Sequence, residues 1–189
     1  MKILCYGDSN TYGYDPCSFL GSRYPAEHRW VDRLAQALNC ETINKGQNGR
    51  EIPVKEQEFL EFERILSENA SVDLLIIMLG TNDLLQGNSP EAAARRMEDL
   101  LNRIHPKRFR ILLIAPPHLK RGEWVPDQAL IHASLALSRK YKGLSERLDL
   151  EYADAGEWNI PLTFDGVHFT EEGHRIFAER LSNYLNKGE

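Results

Sequence analysis

The sequence predicts an α/β fold, a three-layer α/β/α arrangement around a flavodoxin-like, five-stranded parallel sheet in the order 2-1-3-4-5. Three observations carry that prediction. Short β-like runs alternate with longer segments of helical period five times along the chain. Two of the runs, VDLLIIML and FRILLIA, are almost continuously apolar, as parallel strands covered on both faces are. Parallel neighbours also require crossovers, and these are right-handed, which places helices on both sides of the sheet.

The first strand is expected at residues 2–6, running into Gly7, Asp8, Ser9 and Asn10. Trp30, Leu34 and Leu38 then share one helical face, and a weak strand follows at 41–44. Phe59, Phe62 and Leu66 mark the next helix, before the central strand that ends at Leu79. Ser89 is placed as an N-cap with Pro90 at the first helical position, ahead of a stripe of Ala94, Met97, Leu101 and Ile104 that Pro106 stops. The fourth strand ends at Ala115. A helix opening at Asp127 repeats Leu130, Ala133, Leu137, Tyr141 and Leu144, and the fifth strand occupies 150–154. The last helix starts near Thr170, with Glu171 and Glu172 in its first turn, and carries Phe177, Leu181 and Leu185. No linker or repeat divides the chain, so a single domain over 1–189 is expected.

Composition narrows the partners. A formal net charge of −5 with no block of Lys or Arg disfavours nucleic acid and points to a small-molecule substrate. No run approaches the ~18 apolar residues of a membrane span. The first apolar run stops at Asp8, too early for a signal peptide, which reads as a cytoplasmic protein. Cys5, Cys17 and Cys40 have no C-x-x-C spacing and read as reduced thiols.

In open α/β sheets ligands bind beyond the carboxyl ends of the strands. Five polar clusters fall there: residues 7–10, 44–50, 80–83, 116–118 and 164–170. A serine hydroxyl becomes a nucleophile when an oriented base takes its proton. Ser9 is the candidate nucleophile. Asp165 and His168, three residues apart, can sit in one tight loop with the carboxylate holding the imidazole. The Ser9 amide, the amide of Gly49, which lacks a Cβ, and the Asn82 carboxamide can form an oxyanion hole for a tetrahedral intermediate. The chemistry is acyl transfer to water or an alcohol, and no step of it assigns work to a metal.

The motifs GDSN, GQNG, GTND and DGVH together resemble the four blocks of the SGNH (GDSL-like) hydrolase family, with Ser9, Gly49, Asn82 and His168 at the four name-giving positions in order. Asp165 stands where that family places its third triad member. The resemblance implies a cofactor-independent esterase, lipase-like enzyme, thioesterase or carbohydrate deacetylase. The stretches ILCYGDSNTYGYD and DLLIIMLGTND are similar to its arylesterase and acyltransferase branch, which implies small acyl groups and homo-oligomers. Asn10 stands where the GDSL signature has Leu, which bears on substrate shape.

Other residues admit two readings. Asp8 and Asp83 are read as braces that accept backbone amides rather than as catalytic carboxylates. Tyr12 and Tyr14 are candidate walls of an acyl pocket, with Trp30 either there or in the core. The connection of about 18 residues over 10–27 is long enough to suggest a functional loop. His118, at the end of the fourth strand, is either a loop residue or a substrate contact. His28, His105, His132 and His174 are read as ordinary surface histidines. Two rivals remain: a metallophosphoesterase with Asp8, Asn82, Asp83 and His168 as ligands, and a non-catalytic flavodoxin-like binding module. The P-loop, G-x-G-x-x-G and G-x-S-x-G motifs are absent, which removes nucleotide binding by those cradles and an ordinary α/β-hydrolase.

Overall fold

A computed structural model describes residues 1–18, 22–104 and 109–187. Its five strands are β1 (Lys2–Gly7), β2 (Glu41–Gly46), β3 (Leu74–Met78), β4 (Arg110–Ala115) and β5 (Glu151–Asp154). They pair in parallel in the order 2-1-3-4-5, the flavodoxin-like order expected from the sequence. The helices are α1 (Ser9–Tyr12), α2 (Trp30–Ala37), α3 (Glu56–Glu68), α4 (Thr81–Leu85), α5 (Pro90–Asn102), α6 (Gln128–Leu148) and α7 (Glu171–Asn186).

Because side chains alternate across a strand, each central strand feeds two cores. Leu4, Leu75, Ile77 and Leu113 face the layer of α3, α5 and α6, where they meet Phe62, Met97, Leu137 and Tyr141. Ile3, Ile76, Leu112 and Ile114 face α2 and α7, against Trp30, Leu34, Phe177 and Leu181. That two-sided demand explains why the sequences of β3 and β4 are apolar throughout. β2 is an edge strand bonded only to β1 and half exposed, so its polar sequence ETINKG signals weakly.

Several local expectations hold and some need adjustment. Ser89 caps α5 by accepting from the Ala92 amide, with Pro90 in the first turn. Asp127 and Thr170 cap α6 and α7 in the same way. In α3 the third buried position is Ile65 rather than Leu66, and in α5 Ala93 and Leu100 are buried while Ala94 is only partly so. Pro106 and His105 lie outside the described residues. Among the described residues no helix is long and apolar enough to cross a membrane.

Candidate active site

β1 passes into α1 without a loop. Asp8 caps the helix, its Oδ1 accepting from the Asn10 amide at 2.9 Å, and Ser9 is the first helical residue. Ser9 therefore stands at the carboxyl edge of the sheet with its amide among the unbonded N–H groups of a first helical turn. β2 runs close beneath α1, where a Cβ on Gly46 would overlap the backbone of Thr11 and Tyr12. Burial pushes the Asp8 carboxyl up to about 6, against the bond from the Asn10 amide and the charges of His168 and Arg50.

The loop after β5 brings the other two groups. His168 Nε2 lies 2.9 Å from Ser9 Oγ, and His168 Nδ1 lies 2.7 Å from Asp165 Oδ2. With Nδ1–H donated to the carboxylate, Nε2 is an acceptor for the serine hydroxyl. All three residues are buried. Asp165 Oδ1 accepts from Thr163 Oγ1 at 2.8 Å and from the amides of Val167 and His168 at 2.8 and 2.9 Å. Burial alone would raise the Asp165 carboxyl, but the bonds from His168, Val167 and Thr163 outweigh it and hold it at about 2. It is an anion at any working pH.

The opposite wall is a tight turn over residues 47–50, closed by the Arg50 amide on the Gln47 carbonyl at 3.2 Å. Gly49 is its third residue with φ of +71°, the position where a type II turn needs glycine. A Cβ there would meet nothing within 4 Å, so backbone conformation rather than crowding selects the glycine. Arg50 anchors the turn through Nη1 to the Gly7 carbonyl at 2.9 Å and lies over the Tyr6 ring. Asn82, in α4, donates Nδ2 to the Arg50 carbonyl at 3.0 Å and keeps its second N–H. Asp83 turns away from the cleft, accepting from the Ile52 amide at 3.1 Å and Arg96 Nη1 at 2.8 Å.

Between these walls is a cleft of about 280 Å³ lined by Ser9, Tyr14, Asn48, Gly49, Asn82, Trp124 and His168. Gly13, with φ of +90°, reverses the chain so that the Tyr14 amide returns to the Ser9 carbonyl at 3.0 Å. The Tyr14 ring then meets the His168 ring edge-on at 4.9 Å. Trp124 meets the same imidazole at 5.1 Å and is held by its amide on the Asp165 carbonyl at 3.1 Å. Trp124 escapes a motif-based reading, while Asn48 and Arg50 lie in the 44–50 cluster that the sequence singles out without assigning a role to either. The available signal for Trp124 was its place, a large aromatic in the segment that follows β4 at the ligand-binding edge.

Three sequence-based expectations, at Asn10, Tyr12 and His174, are corrected, and the open readings of His118 and Trp30 are decided. Asn10 does not face the cleft: it is buried, and its carboxamide is used by the Val167 carbonyl and the Phe169 amide. Tyr12 points away as well, its ring under the Arg23 guanidinium, while Tyr14 takes the wall position. His118 is packed so closely on Gly156 that a Cβ there would overlap its ring, and it does not line the cleft. His174 is a core residue rather than a surface one, packed edge-on against Tyr24. Its burial, with Arg33 and Arg29 nearby, holds the imidazole down at about 3 and so keeps it neutral. Trp30 is likewise core. Among the described residues no three His, Cys, Asp or Glu side chains are grouped to hold a metal, so the ligand set of the metallophosphoesterase rival does not assemble.

A hydroxyl, an imidazole and a carboxylate in hydrogen-bonded series can activate a serine, and Gly49 and Asn82 line the same cleft. The profile of the GDSL-like Lipase/Acylhydrolase family matches residues 5–176. An aryl esterase of M. smegmatis superposes with a TM-score of 0.84 at 27% identity, covering 98% of each chain. A carbohydrate acetylesterase family member from Sinorhizobium meliloti superposes with a TM-score of 0.86 at 26% identity, over 98% of this chain and 97% of that one. A second carbohydrate acetylesterase of the same organism gives 0.85 at 25% identity, over 100% and 99%. No curated protein matches the sequence.

Proposed function

The chain belongs to the GDSL-like lipase/acylhydrolase family and is an ester-bond hydrolase, and from that premise we propose a serine esterase for small acyl groups, with Ser9 as nucleophile, His168 as base and Asp165 as its orienting anion. The observation that carries this reading is the relay of 2.9 and 2.7 Å from Ser9 Oγ through His168 to Asp165, opening on a small cleft. His168 Nε2 takes the hydroxyl proton as Ser9 Oγ bonds to the acyl carbon. Negative charge moves to the carbonyl oxygen, which accepts from the Ser9 and Gly49 amides and the free N–H of Asn82. Collapse breaks the bond to the alkoxy oxygen, and the departing alcohol takes the proton from His168. Water then repeats the sequence on the acyl-Ser9 ester and releases the acid; an alcohol in its place gives acyl transfer.

The acyl side is short because the rings of Tyr14 and Trp124 close a cleft of about 280 Å³. A second reading, deacetylation of a sugar ester by the same groups, is supported by the likeness to two carbohydrate acetylesterases. Replacing Ser9 by Ala should abolish both hydrolysis of p-nitrophenyl acetate and labelling by a fluorophosphonate. Substantial turnover in that variant would overturn the assignment.

A further inference from the structure

The backbone around His168 is bonded along both of its edges. On one edge the His168 amide donates to Asp165 Oδ1 at 2.9 Å and its carbonyl accepts from the Thr163 amide at 2.8 Å. Both partners belong to the same loop. On the other edge Asn10 Nδ2 donates to the Val167 carbonyl at 3.1 Å, and the Phe169 amide donates to Asn10 Oδ1 at 2.9 Å. These bonds join residues 157 and 159 positions apart, and their side chain is the immediate neighbour of Ser9.

Asn10 is itself held on every side. Its amide donates to Asp8 Oδ1 at 2.9 Å, its carbonyl accepts from Trp30 Nε1 at 3.0 Å, and the residue is 4% exposed. A carboxamide offers a donor and an acceptor in one plane, so it pairs with the C=O and N–H flanking His168 much as a neighbouring strand would. Leucine in this place has neither group and would leave a buried C=O and N–H without partners.

We infer that Asn10 is a positioning residue that sets the approach of His168 to Ser9, by pairing its side-chain amide with the backbone on either side of the histidine. The inference rests on Ser9 and His168 acting as nucleophile and base. The Asp165 to His168 bond lies within the loop and needs no help from Asn10. The register of that loop against α1 does, because Ser9 and Asn10 share one helical turn. The side chain thus acts on the reacting pair without touching substrate.

The test uses Asn10→Leu, which deletes both bonds, and Asn10→Asp, which keeps the acceptor for the Phe169 amide and deletes the donor, each assayed on p-nitrophenyl acetate well below its melting temperature. A misplacement of about 1 Å at the reacting atoms costs about 10²-fold, so kcat should fall by about that in Asn10→Leu and by less in Asn10→Asp, with KM within about threefold of wild type. The downfield proton signal of His168 Nδ1–H bonded to Asp165 should persist in both variants. If KM carries the loss instead, Asn10 contacts substrate and the inference fails. Unchanged kcat in the folded Leu variant, or in the Asp variant should Leu not fold, also overturns it. The parent reading fails separately, by activity surviving in Ser9→Ala.

Discussion

Replacing Asp8 by Asn should stabilise the protein at neutral and alkaline pH, and the gain should fade in acid. Asp8 is 2% exposed beneath Ser9, and burial raises its carboxyl from an ordinary 3.8 to about 6. Between those values the folded chain keeps a proton that the unfolded chain has released, so this group's contribution to stability declines as pH rises through that window. Above it the full cost is present, about 3 kcal/mol for the gap between 3.8 and 6. Asparagine preserves the shape and the acceptor for the Asn10 amide and carries no charge. Its new N–H group faces the Thr11 amide that the carboxylate bonds, which offsets about 1 kcal/mol at every pH. The decisive quantity is therefore the change in the stability difference with pH, in which terms that do not titrate cancel. Urea unfolding of both proteins should show the Asn variant gaining about 2 to 3 kcal/mol relative to wild type between pH 4 and pH 8. In thermal melts that is about 5 to 10 °C for a chain of this size. A difference that is flat with pH, or that grows in acid, would refute the reasoning.

Three further outcomes are expected. Asn82→Ala should lower kcat by roughly 10²- to 10³-fold with little change in KM, the usual effect of losing one oxyanion donor, and an unchanged kcat would remove Asn82 from the transition state. His168→Ala should lower kcat by about 10²- to 10⁴-fold, because Ser9 Oγ then has no imidazole within hydrogen-bond distance to take its proton. Turnover close to wild type in that variant would contradict the role of His168. Rates on p-nitrophenyl esters should peak from acetyl to butyryl and decline at octanoyl. Each methylene that fits adds roughly 0.8 kcal/mol of binding, and a ring in its path reverses the gain. Tyr14→Ala or Trp124→Ala should flatten the decline and Tyr12→Ala should not, whereas a wild-type preference for octanoyl would refute the short-acyl assignment.

What could be read from the chain and what could not divide along the range of the interactions. β3 and β4 announce themselves because both of their faces are covered, and five strand and helix pairs imply a parallel sheet covered on both sides, although crossover handedness does not by itself choose among the doubly wound orders. β2 speaks faintly because an edge strand can afford Thr, Asn and Lys. The polar blocks around Ser9, Gly49, Asn82 and His168 are legible for a related reason: each is a local motif at a strand end, and the sheet places all strand ends on one side. The pairing of Asp165 with His168 is local too, spanning three residues.

The misread residues are those whose direction depends on a distant partner. Tyr12 and Tyr14 are equivalent in sequence, yet the reversal at Gly13 returns one to Ser9 and leaves the other beneath Arg23. Asn10 follows the nucleophile and so suggested substrate, but its partners lie 157 and 159 residues away, where no local pattern points. Trp124 enters the cleft because its loop is bonded to the Asp165 loop: the Lys120 amide donates to the Gly166 carbonyl at 3.0 Å and the Glu123 amide to the Phe164 carbonyl at 3.1 Å. Those bonds make the loop that bears the base and the loop that bears the pocket wall one unit. Under the proposed function, Trp124→Ala should therefore alter acyl selection while these backbone bonds hold the His168 loop in place, whereas a change at Asn10 acts on the reacting pair through the His168 loop itself.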